Sequence, residues 1–145
     1  MAKNLCKMEI PFINLLVTWA LFGLIWVVQL VHYPTFEFVD NQNFLAFHQH
    51  HTSSITFIVM PLMLIELGLG IYLATQQPPI YLGPMILIGL IWLSTFFIQV
   101  PIHNALGGGK DSSLIQKLVN TNWIRTILWT IKAVWVSYLF YSNTR

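Results

Sequence analysis

From Ile10 to Phe36, and again from Leu67 to Gly109, the chain contains no Asp, Glu, Lys or Arg. Uncharged apolar runs of about 18 residues or more are long enough to cross a bilayer. Their spacing predicts four helical spans, at about 12–32, 52–74, 82–105 and 121–140. The alternation of period 2 that marks strands is absent. The pattern therefore predicts an all-α integral membrane four-helix bundle, running up-down-up-down, in a single domain over residues 1–145.

Local signals place the ends. Pro11 suits an early helical position, where its missing N–H costs nothing. Tyr33-Pro34 is expected to close the first helix, because proline drives the preceding residue out of the helical region. Asp40 to Asn43 form a polar turn able to cap a second helix, which begins near Asn43 or Phe44 and continues to about Ala74. Gln76-Gln77-Pro78-Pro79 reads as a hairpin loop. The third helix is expected to end at Gly107-Gly108-Gly109. That run lacks the spacing of a phosphate loop. Asp111 or Ser112 can cap the fourth helix.

Composition strengthens the membrane reading. Only 8% of the 145 residues are charged and 56% are hydrophobic, whereas soluble domains carry about 25% charged residues. A single cysteine, Cys6, excludes an internal disulfide and a zinc site built from several thiolates. The formal net charge is only +2, and no basic run points to nucleic acid. The first apolar run exceeds a signal-peptide core and no small-x-small cleavage pattern follows, so a retained helix is expected. Lys3, Lys7 and Arg145 flank the chain ends, while Lys110, Lys117 and Arg125 flank the third connection. Glu37 and Asp40 occupy the first connection, which has no cation. The positive-inside rule then favours a multi-pass protein of the cell membrane with both termini cytoplasmic.

The polar residues are the informative minority. His32 closes the first span, His48, His50 and His51 open the second, and His103 closes the third, so alternating spans gather them at one membrane face. Helical spacing puts His48, His51, Leu62 and Glu66 on one stripe of the second helix. Gln29 with His32, Gln99 with His103, and Asn122, Arg125, Trp129 and Lys132 form similar stripes on the other three. Glu66 and Lys132 lie near mid-span, where an unpaired charge costs about 2.5–3.5 kcal/mol. An ion pair between them is the expected solution.

His32, His48, His51 and His103 are candidate ligands for a transition metal or a haem iron. The carboxylate set of a di-iron bundle is missing, and a haem would be non-covalent and bis-histidine. Arg125 offers a planar fork to a carboxylate, phosphate or quinone oxygen, and Asn122 adds a donor and an acceptor. Pairing of Arg125 with Glu37 or with a helix carbonyl is the structural alternative. Trp26, Tyr33, Phe47, Trp123 and Trp129 are candidates to line a pocket for an aromatic or isoprenoid body.

Several short patterns occur together: Gln29-x-x-His32-Tyr33-Pro34, His48-x-x-His51, Pro61-x-x-x-x-Glu66, Val100-Pro101-x-x-Asn104 and Asn122-Trp123-x-Arg125. In these the chain resembles a family of small bacterial membrane proteins similar to the anthrone-oxygenase-like proteins. The resemblance implies a four-helix membrane fold and, by analogy, oxidation of a polycyclic phenol by residues that bind and deprotonate it. It implies that Asn104, Asn122 and Arg125 serve as polar site residues. His103 and the histidines after Phe47 are additions to that pattern.

Three functional readings follow. In the first, the protein is redox or oxygenase-like, with a metal, haem or quinoid ligand. His51 or His103 acts as base, Arg125 stabilises an oxyanion, and His32, His48, Asn104, Asn122 and Arg125 hold the cofactor or ligand. In the second it is a non-catalytic accessory subunit of a larger membrane complex. In the third it is a small-molecule transport element that works as a homo-oligomer. Gly68-x-Gly70, Gly83 and Gly89 permit close helix approach.

Overall fold

The computed structural model describes residues 2–143, with side chains from 9 to 142. Four helical rods form an antiparallel bundle. The first, α1, spans Ala2–Val27 and continues through a π-helical turn at Val28–His32, a short helix at Tyr33–Thr35 and a 3-10 turn at Phe36–Phe38. Helix α2 covers Phe44–Gln76. Helix α3 runs over Pro78–Ser94, a π-helical turn at Thr95–Gln99, and Val100–Leu106. Helix α4 is Ser112–Asn143. Each rod packs on two neighbours, α1 and α3 both lying against α2 and α4.

Three boundaries differ from the sequence expectation. The loop of Gln76 to Pro79 narrows to Gln77, because Pro78 and Pro79 take the first turn of α3, where a missing N–H costs nothing. The first helix begins at Ala2, not at Pro11, and Pro34 does not end it. The reason lies in the turn before the proline. Proline removes an N–H and its ring clashes with the carbonyl four residues back. Here the helix widens just upstream, the Tyr33 N–H bonding to the Val28 carbonyl five residues earlier. The same device precedes Pro101, where the Val100 N–H reaches the Thr95 carbonyl. Both rods thus pass their proline without stopping, and each π-turn carries a buried glutamine, Gln29 or Gln99.

The caps behave as their residue types dictate. The Asp40 carboxylate accepts the Asn43 N–H at 2.9 Å and the Asn43 side-chain amide at 3.0 Å. These hydrogen bonds hold its carboxyl below the usual carboxylate range. Asp111 accepts the Leu114 N–H at 3.0 Å to start α4. Gly109 takes a φ of 140°, a backbone state open to glycine. The Lys110 ammonium donates to the carbonyls of Glu37 and Val39 at 2.7 and 2.9 Å, and the Ser112 hydroxyl to the Glu37 carboxylate at 2.6 Å. These bonds clasp the first and third connections together over the end of the bundle.

Among the described residues, three helical stretches are long and apolar enough to cross a membrane: Glu9–Phe38, Phe44–Gln76 and Pro78–Leu106. Helix α4 has the length, at 32 residues, but its mean is lowered by Asn122, Arg125 and Lys132. All three are buried. Its outward positions, Ile124, Ile127, Ile131 and Val134, are apolar and exposed. The other rods also turn large apolar residues outward, with Phe57 83% and Phe97 76% exposed. A bundle that buries the mid-span charges Glu66, Arg125 and Lys132 and turns large apolar side chains such as Phe57 and Phe97 outward is suited to lipid. Lys3, Lys7 and Arg145, on which the orientation of the termini rests, lie outside the described side chains.

Candidate functional site

The inward stripes meet in two layers. The deeper one is an ion pair across the diagonal of the bundle, from Lys132 on α4 to Glu66 on α2 at 2.8 Å, both side chains at most 1% exposed. Lys132 also donates to the Thr18 hydroxyl at 2.6 Å, and the Trp129 indole N–H to the second Glu66 oxygen at 3.2 Å. This is the pairing expected from the sequence, and it is the one ion pair among the described residues.

The upper layer is built around Arg125, which is buried without a carboxylate partner among the described residues. Its Nε and one terminal nitrogen both donate to the Asn122 side-chain oxygen, at 2.9 and 2.5 Å. The fork also donates to the Tyr33 hydroxyl at 3.2 Å and to Thr95 Oγ1 at 3.4 Å. Asn122 is itself anchored by donating to Gln29 at 2.9 Å, and Gln29 donates to the Val119 carbonyl. The π-turn of α1 puts Gln29 in that position. Glu37, the alternative partner for Arg125, is instead at the outer clasp with Ser112.

Beyond Arg125 the bonds acquire a direction. Arginine only donates, so the Tyr33 oxygen accepts from it, and the phenolic hydrogen is free to go to His103 Nε2 at 3.1 Å. His103 then carries its hydrogen on Nδ1 and donates it to His48 Nε2 at 3.1 Å. The tautomers follow from the network and are assigned by it. Arg125, Tyr33, His103 and His48 thus form a chain that links all four helices, and its Tyr33, His103 and His48 members can pass a proton. His51 stands beside it, one ring nitrogen bonded to His32 and its Nε2 buried without a partner.

The histidines gather as expected, but not as a metal centre. No group of three or more His, Cys, Asp or Glu among the described residues is arranged to hold a metal ion. The expected set of His32, His48, His51 and His103 does not form such a group: His32 bonds to His51 and His48 to His103 through their ring nitrogens. Metal ligands aim their lone pairs at one point, whereas these rings aim them at one another. A bis-histidine haem would have to part His48 and His103, which stack with centroids 5.4 Å apart. Phe36, fully buried, lies edge-on to His32, His48, His51 and His103 and closes the cluster on its outer side.

Beneath this network lies a cavity of about 500 Å³. Its lower wall is apolar, with Leu24, Ile25 and Val28 of α1, Ile55, Val59 and Met63 of α2, and Trp129 of α4. Tyr33, His48, Gln99, His103, Asn104 and Arg125 supply the polar wall. Gln99 is held there by Ser94, which donates to it at 3.1 Å. An apolar body with a few convergent polar groups is the usual form of a small-molecule site.

Of the residues singled out from the sequence, Arg125, His103, His48 and Asn104 line the cavity, while His32, His51 and Asn122 stand outside its wall and support it. Of the aromatic candidates only Tyr33 and Trp129 line it. Trp26 donates to Thr130 and stacks edge-on with Trp123, and Phe47 packs against Phe36. Sequence reasoning missed Thr52 and Thr56, although they continue the His48 face at steps of four. It also missed Thr95 and the part of Phe36, whose contacts depend on the bent end of α1.

No family model, no curated protein and no solved structure matches this chain. The anthrone-oxygenase-like resemblance therefore rests on its short motifs alone.

Proposed function

We propose that this is an integral membrane protein that binds a small ring-bearing molecule of the quinone or phenol class and exchanges a proton with its oxygen. One observation carries the reading: a buried guanidinium with no acidic partner among the described residues, Arg125, on the wall of a cavity whose other side is apolar. A buried charge is costly when left uncompensated, so the site favours a phenolate, enolate or quinone oxygen that completes its bonding. The ring then rests against Trp129, Met63 and Val59. Tyr33, His103 and His48 take up the proton released when a bound phenol ionises and return it to the phenolate oxygen. Asn122 and Gln29 are positioning residues that hold the fork of Arg125. Helix α4 completes the membrane bundle in this reading, since its polar residues face the interior and its outer face is apolar.

The Glu66–Lys132 pair belongs to a structural role, because it ties α2 to α4 below the cavity and does not line it. The ligand reading is tested by titrating the full chain in lipid nanodiscs with 2-methyl-1,4-naphthoquinone and counting bound molecules by native mass spectrometry. We expect one saturable site per chain. Arg125→Ala should weaken it about 10- to 150-fold, the equivalent of about 1.5–3 kcal/mol for a hydrogen bond to a charged group. Equal affinity of the wild type and the variant contradicts the reading.

A further inference from the structure

The cavity has a second feature that bears on what reaches it. Helices α2 and α3 pack closely near their hairpin, but their backbones separate towards the histidine end, where long side chains such as His48 and His51 reach across to His103. The α2 side shows the consequence. Between His51 and Met63 no residue of α2 is fully buried, although the repeat that buries His48, His51, Met63 and Glu66 runs through this stretch. Ile55 and Val59 face the cavity instead of a packed neighbour.

The edges of this separation are themselves exposed. Gln49 and Thr56 on α2, Val100 and Asn104 on α3, and Gly107 just past its end line the cavity and are also exposed. From Gln49 to Met60, also on the wall, is about 16 Å of helix at 1.5 Å per residue. That is roughly half the hydrocarbon thickness of a bilayer. The water-facing end is closed by contrast. Phe36 and Phe44 are fully buried over the histidines, and the Lys110 and Ser112 clasp holds the two connections together above them.

We infer that the space between α2 and α3 is a lateral portal to the bilayer, and that the natural ligand is a lipid-dissolved quinone or phenol with a long apolar tail. This rests on the ligand reading above and adds the class of the molecule and its route. The ring occupies the cavity with its oxygen at Arg125, and the tail leaves between Thr56 and Val100 into lipid. A cavity of about 500 Å³ suits a ring and the start of a chain, not a whole polyprenyl tail, so an open side is required. The polar rim of Gln49, Thr56 and Asn104 near the membrane surface eases passage of the ring's oxygens.

The test uses the full chain in phosphatidylcholine nanodiscs and a naphthoquinone with a long alkyl chain that carries a diazirine near the ring. After illumination, labelled residues are located by peptide mass spectrometry, with and without excess 2-methyl-1,4-naphthoquinone. The portal predicts that most of the competed label lies on α2 between Gln49 and Met60 and on α3 from Val100 to Gly107, falling at least tenfold under competition. Competed label on the outer faces of α1 and α4, or on the connection around Asp40, overturns the portal and leaves the ligand reading standing. Absence of any competed label, together with no saturable binding of the untailed quinone, overturns both.

Discussion

Arg125 and Lys132 are both buried cations on one helix, and their partners separate their roles. Lys132 has Glu66 at 2.8 Å, whereas Arg125 has only neutral groups around it, Asn122, Tyr33 and Thr95. Removing one member of a buried pair typically costs about 3–5 kcal/mol because the other charge is stranded. We expect Lys132→Met to lower unfolding stability in mild detergent by that amount, and Glu66→Gln with Lys132→Met to restore much of it. Arg125→Lys should fail to restore quinone binding, since a point charge cannot reproduce the fork that grips Asn122 and Tyr33. Binding within twofold of wild type would show that charge alone suffices. The Glu66–Lys132 pair was legible in the sequence because mid-membrane charge has few affordable solutions. The histidine pairing was not, because whether imidazoles share hydrogen bonds or a metal depends on ring orientation, which spacing does not encode.

The rods themselves were legible from charge-free length, from the Asp40–Asn43 turn ahead of α2 and from the Asp111 cap of α4. Their continuity past Pro34 and Pro101 was not, since a proline reads as a stop unless the preceding turn widens. The glycines make a sharper test of how the rods meet. A Cβ on Gly70 would lie 2.5 Å from Ile88 Cδ1 and 3.3 Å from the Met85 sulfur, whereas one on Gly68 meets nothing within 4 Å. Gly70→Leu should therefore overpack the α2–α3 contact and cost about 1–3 kcal/mol, while Gly68→Leu should be nearly neutral. Thermal unfolding of the two variants in the same detergent checks this. Equal losses would mean that α2 and α3 do not meet at Gly70.

Taken whole, the molecule is a bundle that turns the polar residues of its mid-span stripes to the interior. The inward stripes were readable from a 3.6-residue period, which is why Asn122, Arg125, Trp129 and Lys132 are all buried. The cavity itself was not readable, because it arises where two helices part. The alternating topology predicts that cysteines introduced at Asp40 and Gly108 react with an impermeant maleimide from one membrane face. Cysteines at Gln77 and Ser142 should react from the other, in a Cys6→Ser background. Reaction of Ser142→Cys on the Asp40 side would mean that α4 does not cross. The central claim, a ligand oxygen held by Arg125, is read most directly by infrared spectroscopy of bound 2-methyl-1,4-naphthoquinone carrying one or the other carbonyl as carbon-13. Hydrogen bonding should lower the stretching frequency of one carbonyl in the wild type and not in Arg125→Gln. Two carbonyls at their free frequencies in the wild-type complex would contradict it.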